Sequence, residues 1–226
     1  MGRRASYSVM IENRVAALIG DFYHEAAPMR AALETAVQGP GSSIDFYTDP
    51  AAVPWDRLSQ YSLLVMAREG RVAPPESKAV WNTEGHERAI ADFVAAGGGL
   101  VGLHAGLAYG HKGTYSRILQ GGFTYHPEEL PEFQVRPLGA HHVLLEGFRE
   151  FSVRDEMYFV RVNSTETTRL LEVAASDYGT STAAWAHACG KGRVFCFTPG
   201  HRSEVLADPA YLRFLARGIQ WALGRL

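Results

Sequence analysis

Short apolar runs alternating with amphipathic stretches fill this 226-residue chain, and that alternation restricts the fold more than any other feature. The run at 14–21 reads as a buried first strand. Residues 26–37 read as a helix stopped at Gly39-Pro40-Gly41, and 44–47 and 61–66 as two more strands. Ile90, Phe93 and Val94 follow helical spacing over 86–96; Gly97, Gly98 and Gly99 end that helix and lead into a strand at 100–103. A further buried strand falls at 193–198 and a closing helix at 211–223. This order predicts an α/β protein with a mostly parallel sheet and helices on both faces. Between 121 and 175 the segments turn short and alternating, as in Phe133-Gln134-Val135-Arg136, which predicts an antiparallel extension. The length suits a single domain over 1–226, with 1–12 a flexible N-terminal segment and Pro74-Pro75 in a surface loop.

Hydrophobic residues at 46% and charged residues at 20% are enough to build a packed core. Lys and Arg number 22 against 24 Asp and Glu, and no basic run is longer than Arg3-Arg4. No nucleic acid and no acidic membrane surface is expected as a partner, because either needs a concentrated positive patch. Two cysteines make no disulfide framework, and no stretch reaches the roughly 18 apolar residues of a membrane span. The arginines near the start are not followed by the apolar core of a signal peptide. The expectation is a cytoplasmic protein that takes a small molecule and is free to form a homo-oligomer.

In open α/β sheets, ligands bind at the carboxyl ends of the strands. Four stretches at or beside such ends carry titratable groups: Asp21 to Glu25 with His24, then His104, then Asp155-Glu156-Met157-Tyr158, then His201-Arg202-Ser203-Glu204. His104 stands in Gly102-Leu103-His104-Ala105-Gly106, the Gly-x-nucleophile-x-Gly form of a sharp strand-to-helix turn that projects its central side chain into a cleft. A histidine there suits a general acid or base or a metal ligand. It equally suits a buried ring bonded to a backbone carbonyl. If the segment from Glu156 is a strand, Glu156 and Tyr158 share a face, where a carboxylate and a phenol suit recognition of sugar hydroxyls or acid/base work. His126 precedes Pro127, an extended or turn position that can aim its ring into a cleft. Arg68, after the third strand, either binds a substrate hydroxyl or carbonyl or pairs with Glu69. Trp81 is the better candidate for stacking on a sugar ring, whereas Trp221 lies on the apolar face of the last helix.

The segments 97–106, Gly121-Gly122-Phe123-Thr124-Tyr125-His126-Pro127, Asp155-Glu156-Met157-Tyr158, and Gly192-Arg193-Val194 with Pro199-Gly200-His201 together resemble the trehalose-utilisation (ThuA-like) family over 14–224. The resemblance implies a flavodoxin-like fold of the class I glutamine amidotransferase-like kind. In the amidotransferase pattern the sharp turn holds a nucleophilic cysteine and the late strand ends in His-x-Glu. Here those places hold His104, and His201 with Glu204 nearby. Cys189 is read in a glycine-flanked loop and Cys196 inside a strand. The chain is therefore not expected to be a glutamine amidotransferase. His24-Glu25 resembles the family's His-Glu after the first strand. His142 and Gly147 fit its His-Pro-x-x-x-Gly segment with Val143 replacing the proline, and His141 faces solvent.

The resemblance further implies a carbohydrate substrate and a role in disaccharide or oxidised-sugar catabolism, beside oxidoreductases that make 3-keto sugars. A ketone at C3 acidifies the C2 hydrogen, so a base there and an acid at the glycosidic oxygen can cleave the bond by elimination. Water addition then completes a net hydrolysis, and isomerisation is the related outcome. In that scheme His104 or His201 is the base and Glu156 or Tyr158 the acid. His126 and Arg68 polarise the ketone, and His24 and Trp81 help to bind the sugar. His104, His126, Glu156 and His201 are also a candidate set for a divalent transition metal such as zinc, although no His-x-His or His-Glu-x-x-His pair supplies two ligands locally. The alternative is a non-catalytic sugar-binding or regulatory module on an amidotransferase-like scaffold.

Overall fold

The computed structural model describes residues 13–226 except 38, 40, 73–76, 111–112 and 164. The expected flexible segment 1–12, Pro40 and the loop prolines Pro74 and Pro75 lie outside the described residues. In chain order the elements are β1 (Asn13–Ile19), α1 (Ala26–Ala36), β2 (Ser42–Tyr47), β3 (Leu63–Ala67), α2 (Glu84–Ala96), β4 (Gly99–Leu103), α3 (Thr114–Leu119), β5 (Gly121–Tyr125), β6 (Glu132–Pro137), β7 (Phe151–Arg154), β8 (Phe159–Val162), β9 (Thr168–Ala175), β10 (Gly179–Cys189), β11 (Gly192–Phe197), α4 (Ser203–Leu206) and α5 (Pro209–Ala222). Among the described residues, no helix is long and apolar enough to cross a membrane.

Nine strands form one sheet in the order β2-β1-β3-β4-β11-β10-β9-β6-β7. The five from β2 to β11 run parallel, and the remaining four add antiparallel strands at one side. β5 and β8 make a separate antiparallel pair. The near-continuous apolar runs of the parallel strands follow from burial on both faces. Val15, Ala17 and Ile19 of β1 pack with Leu33 of α1 and Phe214 of α5, whereas Ala16 and Leu18 pack with Phe93 of α2 and Ile118 of α3. The fold is thus the expected flavodoxin-like α/β arrangement, with its parallel carboxyl ends gathered along one edge.

Helix ends follow local chemistry. Thr83 caps α2 by accepting from the His86 amide, so the helix begins two residues before its apolar periodicity does. Asp208 accepts from Ala210 and Tyr211 at the start of α5, with Pro209 at the first helical position.

Two segments depart from expectation. β10 leaves little sequence trace because Ala183, Ala184, Ala186 and Ala188 lack the branched side chains that mark strands. It is a strand because β11 and β9 pair with it on both sides, and Cys189 is therefore its last residue, not part of a loop. β8 begins only at Phe159, so Glu156 and Tyr158 lie in the extended segment before it.

His187, on β10, bonds the Ile118 carbonyl through Nε2 at 2.8 Å. Burial pushes this imidazole below its ordinary value of 6.5, outweighing that carbonyl bond. The unfolded chain therefore takes up a proton that the folded chain resists, so this contribution to stability is full above 6.5 and is lost as the pH falls below it. His187→Gln keeps an amide donor for Ile118 and is expected to flatten the pH dependence of the urea midpoint just below 6.5. An unchanged slope would rule this account out.

Candidate active site

β4 ends at Leu103, and the next residue, His104, has φ +40°, a left-handed conformation that costs energy for any residue with a Cβ. A single 3-10 turn, His104–Leu107, follows where the sequence suggested a helix. Gly106 lets the turn press against β3: a Cβ there would stand 1.8 Å from the Met66 carbonyl oxygen. The strained turn is held in place by packing and aims the His104 ring along the sheet edge. Its Nδ1 donates to the Thr198 carbonyl at 2.7 Å, just after β11, and the Tyr158 ring stacks on it with centroids 4.1 Å apart. With Nδ1 so engaged, Nε2 is the nitrogen turned toward the cleft.

Three other strand ends deliver groups to the same place. The His24 ring lies 5.0 Å from both the His104 and the His201 rings. Glu156 Oε2 is 3.2 Å from His104 Nε2 and 3.4 Å from His201 Nδ1, and Oε1 is 3.8 Å from His126 Nε2. His24 Nε2, His104 Nε2 and His201 Nδ1 are buried, and none of them meets the geometry of a hydrogen bond. One nitrogen or oxygen from each of His24, His104, His201 and Glu156 falls within 4.8 Å of all the others. Among the described residues, those four form the group placed to hold a metal ion. His126 borders the group instead of joining it; its Nδ1 bonds the Pro127 carbonyl and the ring is half-exposed.

Two buried aspartates hold this arrangement. Asp21 Oδ1 accepts from the Tyr23 and His24 amides and bonds His24 Nδ1 at 2.7 Å, while Oδ2 accepts from the Glu69 amide at 2.9 Å. Burial works to raise the Asp21 carboxyl, but the His24 contact and these amides win and lower it. Asp155 is fully buried and accepts from the amides of Gly200, His201 and Arg202 at 2.7, 3.2 and 2.9 Å, which pins the loop carrying His201. Gly200 enters that loop with φ +138°, open to glycine alone at little cost. Asp155→Asn turns an amide NH2 toward these donors and leaves at least one buried N–H unpaired. It is expected to cost about 1–3 kcal/mol in urea unfolding; an unchanged midpoint would exclude the clamp.

Glu156 is held in its charged form by its neighbours. Burial favours its neutral form, but the His104 contact and the fields of His201 and His126 bring its carboxyl down to about 2. It is ionised at neutral pH, a state that suits a ligand or hydrogen-bond acceptor and not a proton donor. Burial lowers His201 despite the neighbouring Glu156 charge. Burial, with Glu156 adding to it, pushes the Tyr158 phenol well above its ordinary value, so Tyr158 stays protonated.

Other anticipated residues lie elsewhere. Arg68 reaches the carbonyls of Gly20 and Thr48, not the cleft or Glu69, and Glu69 pairs with Arg71. The Trp81 indole bonds the Glu69 carbonyl and stacks on Trp55, which holds it half-buried against the core. Glu204 is exposed and pairs with Arg202. His142 caps a short turn and packs against Trp221. Burial pushes both thiols up, and Cys196 sits in the core.

Two cavities meet at the cluster. The larger, about 970 Å³, is walled by Tyr23, Asn82, Tyr109, Phe123, His126 and Tyr158. The smaller, about 300 Å³, is walled by His24, His104, His201, Ser203 and Leu206.

The strand order and the sharp turn after β4, which carries a histidine and no cysteine, define a flavodoxin-like α/β scaffold. The ThuA family model, described as trehalose utilisation, matches residues 14–222, and the chain belongs to that family. No curated protein matches the chain. Among solved structures it is similar to a ThuA-like protein from Bacteroides uniformis at 20% identity and TM-score 0.74, covering 98% of this chain and 95% of that one. A ThuA-like protein from Parabacteroides merdae is similar at 18% identity and TM-score 0.73, covering 93% and 90%. A cytoplasmic protein of Salmonella typhimurium follows at 14% identity and TM-score 0.66, covering 94% and 99%.

Proposed function

We propose that this chain is a cytoplasmic enzyme of carbohydrate catabolism that acts on a keto-sugar or disaccharide derivative. The observation that carries the reading is the convergence of three imidazoles and an ionised carboxylate where two cavities meet. Family membership supports the sugar. A ketone at C3 makes the C2 hydrogen removable by a base in the cluster. The C–H electron pair then forms the C1–C2 double bond as the glycosidic C1–O bond breaks, and the departing oxygen takes a proton. Water added at C1 completes a hydrolysis, while proton return without cleavage gives an isomerisation. In an ion-free centre His104 and His201 are the imidazole bases. His126, half-exposed at the wall of the larger cavity, exchanges protons with solvent, and the protonated Tyr158 is available as a hydrogen-bond donor.

The second reading is a sugar-binding module, favoured by the absence of a thiol from the sharp turn. Incubation of purified protein with a 3-keto-disaccharide, followed by chromatography of the sugars, separates the two. Release of monosaccharides, or a rearranged keto-sugar, that is lost in His104→Gln supports the enzyme. Saturable binding with no chemical change supports the module.

A further inference from the structure

We propose that His24 Nε2, His104 Nε2, His201 Nδ1 and the Glu156 carboxylate together bind one divalent transition metal ion of the zinc type. The inference stands on the geometry of these side chains and does not depend on which substrate the protein takes.

The spacing is the first argument. Ligand bonds of about 2.0–2.1 Å around a tetrahedral ion put neighbouring donor atoms ~3.3 Å apart. The measured separations from Glu156 Oε2 are 3.2 Å to His104 Nε2 and 3.4 Å to His201 Nδ1. A charge-assisted hydrogen bond would draw such atoms to about 2.7–2.9 Å. The second argument is the direction of the rings. His24 and His104 each spend Nδ1 on an outer oxygen, from Asp21 and Thr198, which fixes the tautomer whose Nε2 lone pair faces inward. That is how metal-binding histidines are oriented by their outer partners. His104 is 1% exposed, and its inward nitrogen is buried with no hydrogen bond to a described residue.

Electrostatics supplies the third argument. In their neutral forms, His24 and His104, whose Nδ1 atoms are spent outward, turn acceptor nitrogens toward the Glu156 carboxylate within 4.8 Å. Protonating all three rings replaces that conflict with three cations in the same space. A single dication satisfies every lone pair at once. Neutral nitrogens with a carboxylate, and no thiolate, suit zinc or a neighbouring first-row ion better than calcium or magnesium. The set exchanges His126 for His24 relative to the one the sequence suggested. A bound ion would act as a Lewis acid toward a carbonyl or hydroxyl oxygen, leaving His126 free to move protons.

The test is elemental analysis of untagged protein loaded with zinc and dialysed, repeated with cobalt(II) followed by visible spectroscopy. About one equivalent per chain and the intense bands of a four-coordinate cobalt ion are expected. His24→Gln, His104→Gln and His201→Gln should each release the ion, Asp21→Asn should weaken its binding about 10–100-fold, and His126→Gln should keep it. Absence of bound metal from the folded parent protein, or loss in His126→Gln equal to that in His104→Gln, overturns the proposal. Failure to bind zinc or cobalt(II) in a protein that turns over a 3-keto-disaccharide overturns the metal site and leaves the enzymatic reading standing. A bound ion in a protein without turnover upholds the metal site and removes that reading instead.

Discussion

Glu156→Gln is expected to lower turnover of a keto-disaccharide by about a hundredfold to ten-thousandfold, the range in which positioned acid–base groups operate. The substitution preserves shape and removes charge. Two imidazole nitrogens, on His104 and His201, lie 3.2 and 3.4 Å from one oxygen of this carboxylate, and His126 lies 3.8 Å from the other. A neutral amide can orient none of them as an anion does, whether the centre works through imidazole bases or through a metal. Circular dichroism should show a folded protein, because the cluster lies at the strand ends, outside the two apolar cores on either face of the sheet. Steady-state kinetics on a folded variant that retained turnover within about threefold of the parent would remove Glu156 from the active centre, since so small a change is far below what such groups supply.

The second large effect is on stability. Gly106→Ala should destabilise the fold by about 3 kcal/mol or more, at or beyond the upper end of ordinary overpacking. The added methyl would lie 1.8 Å from the Met66 carbonyl oxygen and 2.5 Å from its carbon, backbone atoms that cannot rotate away. Either β3 or the turn carrying His104 must shift. Gly110→Ala is the matched control: an added methyl there would meet nothing within 4 Å, and its effect should stay within about 0.5 kcal/mol. Urea unfolding of the two variants decides the matter, and equal midpoints would mean that the turn does not press on β3.

The parallel half of the sheet was legible in the sequence because burial on both faces leaves continuous apolar runs such as Ala16-Ala17-Leu18-Ile19 and Leu63-Leu64-Val65-Met66. The turn at His104 was legible for a related reason: a chain reversing direction against a neighbouring strand needs residues as small as Gly106. The same logic placed titratable groups at strand ends, so His104, His201 and Glu156 stood out before any geometry was known. β10 did not stand out, because its alanines owe their strand conformation to β9 and β11 on either side.

What the sequence determined by itself is which chemistry the chain carries: histidines at the carboxyl ends of parallel strands, a carboxylate beside a strand of the antiparallel extension, and no thiol at the sharp turn. Which of those residues meet was decided only by the tertiary structure. His24 and His126 both looked able to approach His104, yet Asp21 turns His24 inward while the Pro127 carbonyl holds His126 at the rim. Arg68 and Trp81 looked able to face a ligand, yet nearby backbone carbonyls claim both. The physical reason is common to all four. Local sequence sets where a side chain starts, whereas its direction depends on hydrogen-bond partners, several of them distant in the chain, that only the folded chain brings within reach.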